Sequence, residues 1–213
     1  MTVTTNLLTA AAITAVLSTA SGAYAQSIDV RVTGSITPAA CVPTIGGGGV
    51  IDFGVIPAAS LNQTTTTALP KKTVPLSIAC NAPTQVAITA TDNRRDSVLS
   101  TNMWEFKYGL GTAAGVNIGE FMMFVDPGSV TVEGLPAFSI DSGNGATWYD
   151  TTVGIVTQRG LTSWSLSKGG APVAFKNLVG SLSVNAVINK GENLTLKEEI
   201  QLDGLATLEL VYL

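Results

Sequence analysis

Histidine is absent from all 213 residues. That one gap removes the Ser-His-Asp triad, the Cys-His pair and the usual zinc-ligand sets together. Charge is also scarce: Asp, Glu, Lys and Arg make up 12% of the chain, about half the usual share, and the net charge is −4. An acidic chain with 11 Lys and Arg offers little to nucleic acid or to an anionic membrane surface. No amphipathic helix of convincing length follows residue 26, and no later apolar run approaches a membrane span. The 15 Asp and Glu could still hold a glycosidase-type carboxylate pair. Nothing singles out two of them, so the expectation is a protein that is not an enzyme, with no catalytic residues, cofactor or metal.

The first 25 residues contain no Lys, Arg, Asp or Glu. They do contain an apolar run, Leu7 to Leu17, and then a small-x-small site at Ala23-Tyr24-Ala25. This reads as a secretory signal peptide over residues 1–25, cut before Gln26, although the basic segment that usually opens such leaders is missing. A membrane anchor is disfavoured because eleven apolar residues are too few to cross a bilayer. The expected mature chain, 188 of the 213 residues, is enough for one domain with a sizeable core. In an exported protein the only cysteines, Cys41 and Cys80, are expected to form a disulfide. It would close a loop of about 40 residues and contribute on the order of 3.5–4 kcal/mol in the chain-entropy picture.

Short β-prone runs fill the rest, separated by Gly, Pro, Asn and Asp clusters, which points to an all-β chain and most economically to a single β-sandwich. Strands are expected at 50–56, 73–80, 84–92, 119–126, 129–135, 151–157, 180–189 and 204–213. Pro75 inside the second implies a sheet edge or a bulge. GLGTAAG (109–115) is too loosely spaced for a phosphate-binding turn and reads as a flexible loop. DSGNGATWYD (141–150) fits no EF-hand pattern and reads as a turn. Trp104, Trp148, Tyr149 and Trp164 could line a sugar-binding face, although packing in a core or on a sheet is the commoner use of such residues.

Ahead of the first cysteine, Ile28 to Thr37 alternates without error. Ile28, Val30, Val32, Gly34 and Ile36 take one side, and Asp29, Arg31, Thr33, Ser35 and Thr37 the other. That is the period of a strand with one face meant for burial, placed where a chain is usually poorly ordered unless something ties it down.

The motif VRVTGSITPAAC, with Gly34 and Cys41 in place, resembles the N-terminal extension of chaperone–usher pilins. ATLELVYL, with Ala206, Leu208, Leu210 and the penultimate Tyr212, resembles the last pilin strand. VIDFGVIPA, IAC and ITATDNRRDS resemble a pilin-related group of exported proteins of unassigned function. One position departs: pilins usually carry a glycine fourteen places from the C-terminus, and this chain has Ile200.

The resemblance implies an incomplete immunoglobulin-like sandwich over residues 41–213 that lacks its seventh strand, preceded by a donor-strand extension at 26–40. It implies a structural subunit of a surface fimbria with a role in adhesion, exported through the periplasm to the cell surface. Partners would be a periplasmic chaperone, an outer-membrane usher and neighbouring subunits, with a host or surface glycan as a further candidate and no nucleic acid. Ile28, Val30, Val32, Gly34 and Ile36 would then be written for another subunit's core. Ala206, Leu208, Leu210 and Tyr212 would pair with the chaperone or the next subunit. The competing expectation is a stand-alone secreted β-sandwich that binds carbohydrate and completes its sheet with its own N-terminal strand.

Overall fold

The computed structural model describes residues 28–35 and 40–213. They belong to two units that divide after Thr37. The proposed signal peptide and Ile36 lie outside the described residues.

In the first unit, residues 28–35 form no strand despite their alternation. Ile28, Val30 and Val32 are 89%, 85% and 92% exposed among the described residues.

The second unit is all-β. Its longer strands are β1 (Cys41–Ile45), β2 (Lys72–Thr84), β3 (Val86–Asp92), β4 (Gly119–Val125), β5 (Phe138–Ser142), β6 (Leu161–Ser165), β7 (Phe175–Ile188) and β8 (Ala206–Tyr212). One antiparallel sheet runs β1-β2-β7-β4 and ends on the short strand Tyr108–Gly109; the other runs β5-β6-β3-β8, with Tyr149–Asp150 outside β5. The two sheets make a β-sandwich, and the alternation of each strand decides what lies between them. Leu76 and Ile78 of β2, Leu178, Leu182 and Val184 of β7, and Val86, Ile88 and Ala90 of β3 are buried. Trp164 of β6 is fully buried and meets Phe175 edge-on at 6.2 Å.

Cys41 stands directly opposite Cys80 in the β1–β2 ladder, and the two are joined by a disulfide. Pro75 sits in a strand flanked on both sides, not at a sheet edge, yet the proline costs no ladder bond. The β1 pairing covers Leu76 to Cys80 and stops one residue short of it. Its β7 partner Ser181 sends its N–H to Ser129 Oγ at 2.9 Å. Pro75–Ser181 is therefore a non-hydrogen-bonded pair, and the proline nitrogen points to where β1 has already ended. The backbone there approaches so closely that a Cβ on Gly46 would lie 2.7 Å from Pro75 Cδ.

Three expected strands do not form. Residues 129–135 turn back on themselves, with Thr131–Val132 pairing to Leu135–Pro136 around Glu133 and Gly134, both at positive φ. Residues 50–56 pair with no strand among the described residues, because Gly54 turns at φ 67° with its N–H on Asp52 Oδ1 at 2.7 Å. Residues 151–157 meet β4 at the single bridge Phe124–Ile155, since Gly154 at φ 63° bends the chain. GLGTAAG is not a flexible loop: Thr112–Ala113 pairs with Val116–Asn117 around Ala114 and Gly115, both at positive φ, the geometry of a tight hairpin turn. DSGNGATWYD is a turn, in which Ser142 Oγ accepts from Gly145 N and Asn144 Oδ1 accepts from the amides of Ala146 and Thr147.

Candidate functional site: an apolar groove beside the last strand

β8 forms the end of its sheet. It pairs with β3 in an unbroken antiparallel register from Ala206–Asp92 to Tyr212–Val86, and no strand pairs with its other side among the described residues. Period-2 alternation sends Ala206, Leu208 and Leu210 inward, where they are half-buried, while Thr207 and Glu209 face solvent. At the end of the strand Tyr212 is 50% exposed, and its hydroxyl accepts the Cys41 N–H at 2.8 Å. One hydrogen bond thus joins the end of β8 to the start of β1, itself the terminal strand of the other sheet.

Between these two sheet ends lies a groove of about 1060 Å³. Leu182 and Val184 of β7, Phe121 and Met123 of β4, and Leu110 and Ile118 form its floor. Ala206 and Leu208 line one side, and Ile51, Phe53 and Ile56 of the unpaired 50–56 segment line the other. That segment leaves Val50 and Val55 70% and 96% exposed. It follows Gly47, Gly48 and Gly49, all at positive φ, a run that residues with side chains would strain to adopt.

The stretch before β8 completes the wall. Even-numbered residues from Leu194 through Leu196, Ile200, Leu202 and Gly204 continue the inward row of β8, and Glu198 interrupts it. The stretch is fastened from outside. Asp203 donates its N–H to Leu110 O at 3.0 Å, and its carboxylate accepts from Arg94 Nε and Nη2 at 2.9 and 3.1 Å. Leu205 O accepts the Asn93 N–H at 2.9 Å. The Arg94 hydrogen bond holds the Asp203 carboxyl below the usual carboxylate range. Burial instead pushes Asp92 up, although its two oxygens accept the N–H groups of Arg94 and Gly109. Gly204 is a fitting point, since a Cβ there would lie 2.9 Å from Leu110 Cδ2 and 3.0 Å from Phe121 Cε1.

Chemically this arrangement can take an extended chain with one apolar face: a trough with an apolar floor, whose lining also includes Asp52, Glu198 and Glu199, bounded by a strand edge with unused backbone groups. Among the described residues no group of three or more His, Cys, Asp or Glu could hold a metal ion, and no free cysteine is present.

Residues 30–105 match the model of a family described as a protein of unknown function, DUF1120. The protein GltF of Escherichia coli (strain K12) is 30% identical over 250 aligned positions, spanning 97% of this chain and 98% of GltF. The chain belongs to the GltF family. The uncharacterized protein YhcF of the same organism is 28% identical over 218 positions, spanning 88% of this chain and 90% of YhcF. The match to GltF runs across the whole sandwich, and the DUF1120 match takes in β1, β2, β3 and the 50–56 lip of the groove.

The sequence-derived residues thus fall into three places. Cys41 and Cys80 are bridged at the head of β1. Ala206, Leu208 and Leu210 face inward along the groove side of β8, and Tyr212 makes a polar tie at its end. Ile28, Val30, Val32 and Gly34 stand in the first unit, outside any strand. Sequence reasoning missed the 194–204 wall. The even-numbered row from Leu194 to Leu210 was the available signal, hidden because Lys197, Glu198 and Glu199 break it.

Proposed function

We propose that the chain is a non-enzymatic structural subunit of a bacterial surface fibre, exported through the periplasm and assembled by strand donation between copies or sister subunits. The observation that carries this reading is the groove of about 1060 Å³ flanked by the unpaired side of β8. A trough of that kind with an open strand edge is an aggregation hazard unless something fills it. The chain also carries a suitable filler, the row Ile28, Val30 and Val32, which is almost fully exposed. A periplasmic chaperone would fill the groove before assembly, an outer-membrane usher would receive the subunit, and a neighbour's extension would fill it in the fibre. Gly34 and Ile36 extend the donated row, and an adhesive role on a surface glycan would come from faces outside the groove.

The test is to express the full precursor with a tag, recover it from periplasm under native conditions, and identify what comes with it. Recovery with a chaperone or as ordered multimers supports the reading. Recovery as a stable, soluble monomer that does not bind a peptide of residues 26–37 overturns it in favour of a stand-alone sandwich.

A further inference from the structure

Away from the groove, three loops converge on Trp104. The guanidinium carbon of Arg95 lies over its ring at 3.7 Å from the centroid, and that of Arg159 at 5.8 Å. The turn that carries the indole is held firmly. Gln158 Nε2 donates to Trp104 O at 3.0 Å and to Lys107 O at 2.7 Å, and Gln158 N donates to Glu105 O at 2.8 Å. The turn is entered through Met103 in the left-handed region at φ 52°. A non-glycine residue there costs on the order of 1 kcal/mol or more and marks a position worth explaining functionally.

The charges are as telling as the geometry. Three of the chain's four arginines, Arg94, Arg95 and Arg159, lie in these loops although the net charge is −4. Arg94 is committed to Asp203, and nearby Lys107 to Glu120 at 3.0 Å. Arg95 and Arg159 make no salt bridge among the described residues, and both are exposed. Neither guanidinium is held in such a bridge, although the Asp92 carboxylate lies near enough to Arg95 to interact with its charge; both share one half-buried indole, which restricts their motion and so reduces what they lose on binding an anion.

We infer that Trp104, Arg95 and Arg159 form a binding site for an acidic saccharide, a uronate-type sugar whose carboxylate takes the guanidinium fork while its ring meets the open part of the indole. Planar carboxylates suit the paired donors of arginine. The apolar indole beside them favours a ring that bears the acid over an acidic peptide side chain, which has no ring to place there. Two free cations with no basic groove beyond them do not make a track for a nucleic acid backbone. The site does not depend on the fibre reading and would serve a stand-alone sandwich as well.

The experiment is calorimetric titration of the full exported chain with trigalacturonate, alongside neutral maltotriose, triglutamate and adenosine monophosphate. Trigalacturonate should bind at least about tenfold more tightly than each of the others, and less tightly as salt rises. Arg95→Gln and Arg159→Gln should each weaken it about tenfold or more and leave the melting temperature unchanged, since both side chains are exposed. No binding of trigalacturonate overturns the proposal. So does equal binding of the neutral sugar, the peptide or the nucleotide, and so does unchanged affinity in the double variant.

Discussion

Replacing Val30 and Val32 together by Asp separates strand donation from self-completion. In the isolated chain these side chains are 85% and 92% exposed, so they contribute almost nothing to its own stability. Substitutions at such positions usually stay within about 0.5 kcal/mol, which for a domain of this size shifts the melting temperature by at most about 2 °C. In a neighbour's groove the account is different. Burying each valine is worth at least about 1.5 kcal/mol, so losing two removes about 3 kcal/mol or more. An unpaired carboxylate carried into the trough adds a desolvation cost of several kcal/mol unless it stays undocked. Association between subunits should therefore weaken by roughly a hundredfold at the least.

Light scattering after size exclusion reports the association, and thermal melting of the dilute refolded monomer reports the stability. Thr33→Asp, on the polar row of the same segment, is the control and should change neither. The reasoning fails if the double variant assembles like the wild type. It fails in the other direction if the monomer itself loses about 6 °C or more, because then the segment completes its own sheet.

Further expectations concern the sandwich and the segment proposed as its donor strand. Cys41→Ser with Cys80→Ser opens a loop whose ends are 39 residues apart and should cost about 3.5–4 kcal/mol in urea unfolding; an unchanged midpoint would count against a stabilising bridge. A Cβ at Gly34 meets nothing within 4 Å among the described residues, so with Gly34→Leu folding and chaperone capture should persist while exchange of an extension peptide into the groove slows, as read on native gels. Gly204→Val should overpack Leu110 and Phe121 and destabilise by about 1–3 kcal/mol. Because Arg94 holds Asp203 below the usual carboxylate range, its contribution is present above the unfolded-state value and disappears as pH falls through the folded-state value. Asp203→Asn should therefore flatten the acid side of the stability profile, and an identical profile would show that the tie is idle. Asp92, raised by burial, has the opposite sign: its penalty grows as pH rises through the window above the ordinary carboxylate value.

The parts of the fold that were legible are those in which one local rule decides. β8 and the second half of β7 alternate and β4 is a continuous apolar run bounded by turn residues, and the structure places all three within about five residues of their sequence-derived bounds. Where a single residue overrides the pattern, periodicity misleads. Val50 to Ile56 alternates well enough to be read as a strand, but Gly54 and the Asp52 side chain turn it into an unpaired lip. Pro75 marks an edge on general grounds, yet a strand can be central in its sheet and locally without a neighbour, which depends on where β1 stops. β5 and β6 escaped because FSIDS and LTSWS bury polar residues: Ser139, Thr162 and Ser163 are all buried. Their hydroxyls look like surface chemistry until the neighbouring strands are known.

The same distinction governs the two candidate sites. The groove could be anticipated because its ends, Cys41 and Tyr212, lie in motifs whose resemblance to pilin segments implies an open groove between them. Its wall could not, since Leu194 to Gly204 is polar at the middle and acquires its orientation from Asp203 bonding Arg94 and Leu110, residues about 90 to 110 positions away. Trp104 was visible as an aromatic that could belong to a sugar-binding face, and its residue type alone says no more than that. What separates it from Trp164 is the arrival of Arg95 and Arg159 from other loops, together with the Gln158 clamp. Neither arginine is near it by a helical or strand period, so no local reading of the sequence brings them together. The long-range contacts that specify a site are the ones that periodicity cannot carry, which is why the strands could be read from the chain and the second site had to be found in space.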